Sequence, residues 1–125
     1  MREPPPISQD ILTRLNFIRK KKQEYFICFS LDSGRRIITR RIVTIGLLDV
    51  SLAHPREVFA GPLKDRASSV IIAHNHPSGM AEPSKQDITM TQQLIAASQI
   101  LGVPLYDHIV VAAEEHYSFR KNGLI

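Results

Sequence analysis

The sequence predicts an α/β fold, a mixed β-sheet flanked by helices. Three observations predict it. An apolar run at 69–73 (SVIIA), a helical stretch at 84–101 and an apolar run at 105–113 follow one another, the order of a βαβ unit with two parallel strands and a right-handed crossover. Upstream, EYFICFSL (24–31) and RRIITRRIVTIG (35–46) flank the turn signal Asp32-Ser33-Gly34, as in an antiparallel hairpin. Joining a hairpin to a βαβ unit in one chain gives a mixed sheet whose two faces must be covered by helices.

The elements follow in order. Pro4–Pro6 can neither be helical nor pair in a sheet, so residues 1–7 read as an extended proline-rich leader and 8–125 as one domain. Such an opening reads as the downstream piece of a longer protein. Ser8 supplies an N-cap for a helix ending near Lys22, with Ile11, Leu15 and Ile18 on one face. The 24–31 run is aromatic and β-rich, a buried strand, and the spaced cations of 35–46 suit a strand with one wet face. Pro55 is placed for the first turn of a helix running to about Arg66. Residues 75–83, with Asn75, Pro77, Gly79 and Pro83, form a loop. Gly102 and Pro104 stop the helix begun at Ser84, and His116–Phe119 makes a short last strand.

Composition narrows the function. The chain has 125 residues, 43% hydrophobic and 22% charged, ordinary for a soluble domain that folds without staples. A lone cysteine, Cys28, excludes an internal disulfide and any Cys-based zinc site. No apolar run approaches the roughly 18 residues of a membrane span and the leader is no signal peptide, so a cytoplasmic protein is expected. Residues 1–41 carry ten Lys/Arg against four Asp/Glu, and 42–125 six against eight. The basic run Arg19–Lys22 reads first as the solvated end of a helix, where cations favour the dipole, and second as a contact for nucleic acid or an acidic partner. Nearby aromatics are few (Phe17, Tyr25, Phe26), so no base-stacking platform is evident.

The chemistry concentrates in AHNHPSGMAEPSKQD (73–87). His74 and His76 lie two apart at the end of a strand, so both imidazoles point to one side. Asp87 lies eleven residues past His76 in the first turn of the next helix, and the loop between is long enough to fold back. Two histidines and a carboxylate are the three-ligand set of a catalytic zinc, whose fourth position is left to water. Against this stand plainer roles: a strand-end histidine, a turn histidine before Pro77, and a capping box of Ser84 with Asp87. All three coinciding at the open end of a central strand, where chemistry gathers in α/β sheets, favours the metal.

His74-x-His76, seven residues, Ser84, two residues and Asp87 resembles the JAMM (MPN/JAB) metallopeptidase motif. With HPREVF (54–59), AHNHPSG (73–79), EPS (82–84), DHIVV (107–111) and the closing YSFRKNGLI, the chain from about Ser8 to Ile125 resembles the carboxyl-terminal domain of the RadC family. That resemblance implies a cytidine-deaminase-like α/β/α fold and a zinc-dependent hydrolase of peptide or isopeptide bonds. By position it implies zinc on His74, His76 and Asp87, an oxyanion donor in Ser84, and a general base in Glu24 at the head of the first strand. Glu57, in the first turn of a helix, is the rival base. The glycine run that follows the family's catalytic glutamate is missing here. Ser84 has its plainer role as an N-cap and Glu24 as a strand-end charge. His108, next to Asp107 on a strand, reads as a structural or supporting group, Asp107 as a group orienting a ligand histidine, and His54 and His116 as loop residues.

The RadC family carries a DNA-repair label, so the alternative to a hydrolase is a non-enzymatic nucleic-acid-associated domain. A zinc nucleobase deaminase would need a P-C-x-x-C ligand pair, which one cysteine cannot make. The letters H-N-H do not make a nuclease either, since that name refers to residues spread over a longer motif.

Overall fold

The computed structural model describes residues 9–46 and 53–125. The proline leader, the Ser8 cap and residues 47–52 lie outside the described residues. Five strands form one mixed sheet: β1 (Tyr25–Leu31), β2 (Ile37–Ile45), β3 (Ser69–Asn75), β4 (Leu105–Val111) and β5 (His116–Ser118), in the order β2-β1-β3-β4-β5. β1 runs antiparallel to β2 and β3, β3 parallel to β4, and β4 antiparallel to β5. The hairpin and the parallel pair joined through a helix stand as the sequence predicts. The helices are α1 (Gln9–Arg14), α2 (Pro55–Lys64) and α3 (Lys85–Leu101).

Side-chain alternation divides the sheet into two apolar faces. Phe26, Cys28, Val70 and Ile72 pack with Val58 and Phe59 of α2 and Met90 and Leu94 of α3. Ile27, Phe29, Leu31, Ile71 and Ala73 pack with Ile11 of α1 and with Leu15 and Ile18 just after it. Helices thus cover both faces. Burial pushes the Cys28 thiol up to about 12, with Asp65 adding to the rise and Arg41 opposing it.

The first helix is shorter than predicted. α1 ends at Arg14, and a single 3-10 turn at Asn16–Ile18 replaces its continuation to Lys22. Ile11, Leu15 and Ile18 still share a buried face, so the apolar spacing was met, but tertiary bonds to residues 19–23 draw the chain off the helix. On β2 the alternation differs from a basic wet face. Ile38, Ile42 and Ile45 are exposed, whereas Arg41 makes a two-pronged pair with Asp65 at the end of α2. Gly61 makes room for it: a Cβ there would lie 2.6 Å from Arg41 Cδ and Nη1.

β3 runs two residues further than the apolar run, so His74 and Asn75 belong to it. β4 and β5 end sooner than predicted, at Val111 and Ser118. His116 opens β5, and His54 caps α2, its Nδ1 accepting from Arg56 N–H; neither is a plain loop residue. No helix among the described residues is long and apolar enough to cross a membrane.

Candidate metal centre

Three side chains from two elements meet at the carboxyl end of β3. His74 sits in the strand with no solvent exposure. His76 lies one residue beyond, but its N–H donates to the Val111 carbonyl (2.9 Å), which extends the β3–β4 pairing and keeps its ring on the His74 side. Asp87 arrives from the first turn of α3. Ser84 Oγ accepts from Asp87 N–H (3.0 Å) while Ser84 N–H donates to Asp87 Oδ2 (2.9 Å), so the capping box that starts the helix also fixes the carboxylate. The two Nε2 atoms are 3.0 Å apart, with Asp87 oxygens 3.0 Å from His76 and 3.4 Å from His74.

The protons of these rings can be placed by following donors. Thr91 has one hydroxyl hydrogen and gives it to the Asp87 backbone carbonyl (2.7 Å). Thr91 Oγ1 must therefore accept from His108 Nδ1, 2.6 Å away. That leaves His108 Nε2 as an acceptor, so the hydrogen of the 2.8 Å contact lies on His74 Nδ1. His76 Nδ1 donates to the Met80 carbonyl (2.9 Å). Both Nε2 atoms thus present lone pairs to the same point, beside a carboxylate that also only accepts. With both rings neutral, three acceptors converge without a hydrogen and call for a cation, either a metal ion or a proton between His76 and Asp87, and the ligand atoms all lie within 4.8 Å of one another. The grouping could hold a metal ion, with its second ring nitrogens braced as ligand histidines require.

The electrostatics agree. Burial would raise the Asp87 pKa, but hydrogen bonds to His74 and His76 outweigh it and hold the carboxyl well below the usual range. His76 is raised, chiefly by its hydrogen bond to Asp87: a proton takes the place a metal would fill. His108 is lowered well below its ordinary value, first by full burial and then by His74, so it stays neutral, as its place in the relay demands.

The predicted site residues are not all brought together. Pairing of Phe26 with His74 in the β1–β3 register, carried two steps further, sets Glu24 across from His76. Glu24 lines a cleft of about 440 Å³ together with His76, Ser84, Asp87, Met80 and Glu82. Glu57 does not line it and pairs instead with Arg56 on an exposed turn of α2. Asp107 is corrected: strand alternation turns it away from the rings, and it accepts from Ser118 Oγ, Arg120 N–H and His108 N–H, tying β4 to β5. Its pKa is raised, burial outweighing those bonds.

Three supporting residues escaped the sequence reading. Thr91, four after Asp87 on the same helical face, was available from spacing. Asn75 was not: its side chain, on the opposite face from the histidines, accepts from Tyr25 N–H (2.6 Å) and donates to the carbonyls of Gln23 (3.0 Å) and Lys21 (3.4 Å), and so holds the backbone on either side of Glu24. Glu115 Oε1 accepts from Ala81 N–H (2.8 Å) and steadies the loop between His76 and Ser84.

Comparison with known proteins now bears on the chain as a whole. The family model described as a RadC-like JAB domain matches residues 7–124. The chain belongs to that family. Among curated relatives, a UPF0758 protein of Methanospirillum hungatei is 47% identical over 105 residues, covering 84% of this chain and 47% of the relative. One from Trichodesmium erythraeum is 44% identical over 115 residues, 92% of this chain and 44% of its own. One from Bacillus cereus is 35% identical over all 125 residues, 54% of its length. The chain spans about half the length of the curated relatives it matches. The mixed five-stranded sheet fits a JAB domain, and the His74, His76 and Asp87 grouping is consistent with a metal site in that family.

Proposed function

We propose that the chain is a zinc-dependent metallohydrolase that cleaves a peptide or isopeptide bond. What supports the reading is the proton accounting at the centre: both histidine Nε2 atoms bear lone pairs toward Asp87, a set of two nitrogens and one oxygen that suits zinc with an open fourth position. Bound zinc would polarise a carbonyl and lower the pKa of a coordinated water toward ~7. The rest falls to the chain's own groups. The Glu24 carboxylate, in the cleft beside His76, takes a proton from the attacking water and delivers it to the leaving amine. The water oxygen forms the new bond to the carbonyl carbon as the C–N bond breaks. Ser84 Oγ accepts from Asp87 N–H, which leaves its own hydrogen to donate to the developing oxyanion, a role worth about 3–4 kcal/mol in well-built sites.

The test begins with metal content by mass spectrometry, then turnover on a peptide and isopeptide library with a chelator control. His76→Ala should cut bound zinc about tenfold or more and keep the fold by circular dichroism. Glu24→Gln should hold zinc near the wild-type level yet lose turnover by roughly 10²–10⁴-fold. Glu57→Gln should do neither. Loss of activity in Glu57→Gln but not Glu24→Gln would reassign the base, and a zinc-loaded chain without hydrolysis would overturn the proposal.

A further inference from the structure

The segment between the 3-10 turn and β1 carries Arg19, Lys20, Lys21 and Lys22, and it is fastened to the site. Arg19 Nη1 donates to the carbonyls of Ala112 (2.8 Å) and Glu115 (3.0 Å), and Asn75, lying between the two ligand histidines, holds the carbonyls of Lys21 and Gln23. These bonds set the backbone that carries the cations beside the histidine loop. Lys20, Lys21 and Lys22 are exposed, and among the described residues none of their ammonium groups takes part in a hydrogen bond or ion pair. The four residues line a groove of about 360 Å³ with Pro77, Gly79 and Ala113. Pro77 also lines the metal cleft, so the loop after His76 is a ridge with the metal cleft on one side and the basic groove on the other.

We propose that this groove is a subsite for a carboxylate side chain of a peptide substrate, so that the centre acts on acidic peptide segments. The proposal rests on the hydrolase reading and adds the substrate class. Charge separation across the ridge carries it. On the cleft side stand the carboxylates Glu24, Glu82 and Asp87, and on the groove side the unpaired lysines. A peptide crossing the ridge can place a neutral amide in the cleft and an isolated acidic side chain among the lysines. A nucleic acid carries a charge on every phosphate and would meet the three carboxylates as it passed. Stacking platforms are also taken: the Phe17 ring is covered by Arg40, 4.7 Å from its centroid, and meets Tyr25 edge-on.

The test is direct binding to the full 125-residue chain without metal, by fluorescence anisotropy, using a short labelled glutamate-rich peptide, its glutamine counterpart and an oligodeoxythymidylate. The glutamate peptide should bind with an affinity that falls as salt rises. Its affinity should drop about tenfold in the Lys20→Gln, Lys21→Gln, Lys22→Gln variant, as three exposed pairs would give together, and stay unchanged in Glu57→Gln, on an exposed turn of α2 away from both the groove and the cleft. The glutamine peptide should not bind. Equal binding of the glutamate peptide by the triple variant, no binding at low salt, or a preference for the oligonucleotide would each overturn the subsite. Because no metal is present, failure here leaves the hydrolase reading standing, while peptide binding by a chain that never takes up zinc refutes the hydrolase and not the groove.

Discussion

Thr91 has a single proton to give, and the Asp87 carbonyl receives it. The lone pair on His74 Nε2 depends on that choice through His108. Thr91→Val keeps the shape but removes the acceptor for His108 Nδ1–H, so His108 is free to turn its hydrogen toward His74 and His74 to lose its bracing. Zinc affinity, measured by competition with a chromophoric chelator, should fall about 10–100-fold, while Thr91→Ser should stay near wild type. Val at wild-type affinity would show the relay to be idle. The grouping of His74, His76 and Asp87 was legible because its relation is written locally: two residues on one strand face, and an acid in the first turn of the next helix. His108 was legible as a supporting group. Its partner Thr91 shares the helical face of Asp87, which spacing does record, but that this face meets His108 depends on how α3 packs over β4.

At the scale of elements, strand and helix existence was legible and several ends were not. The strands around Cys28, Ile72 and Ile109 declare themselves by apolar runs that bury on both faces. The first helix ends early where Asn75 takes the carbonyls of Lys21 and Gln23 and the Arg19 side chain reaches the 112–115 turn, and such distant partners are invisible in a local pattern. α2 offers a test of packing between elements. Alanine ordinarily gains up to about 1 kcal/mol over glycine in a helix interior, but a methyl on Gly61 meets an Arg41 that is pinned to Asp65. Gly61→Ala should therefore lower stability in the wild-type chain and raise it in an Arg41→Ala background. Urea titrations of the four proteins read the change of sign, and a stabilising effect in both backgrounds would mean that Arg41 yields freely.

For the whole molecule, a metal held by the proposed centre would compete with a proton for one place, and pH would decide between them. His76 has a raised pKa in the metal-free chain; its pairing with Asp87 contributes fully below the unfolded value of about 6.5 and is lost as pH rises through the folded value. Asp87 is lowered, so its contribution is present above the unfolded carboxylate value of about 3.9 and fades only as pH falls through its depressed one. His108 works against the fold in acid: lowered by burial, it takes up a proton on unfolding once pH drops below about 6.5. Zinc needs His76 without its proton, so the melting-temperature gain on adding zinc over chelator should be small at acidic pH and grow toward neutral and above. At a hundredfold excess over Kd the gain corresponds to about 2.7 kcal/mol; a gain that is flat across this range would mean that His76 is not a ligand. The triplet His74-Asn75-His76 has a consequence for how the chain can vary in length. Its outer members face the metal cleft and its middle member ties down the strand that carries Glu24, so the strand works in a fixed phase. Deleting one residue between Ser69 and Ala73 would shift that phase by half a period, turning Asn75 toward the cleft and both imidazoles toward α1. The loop from Pro77 to Pro83 has no such phase to keep, so added residues are better borne there than in the strand, provided that the Met80 carbonyl still meets His76 and Ala81 N–H still meets Glu115.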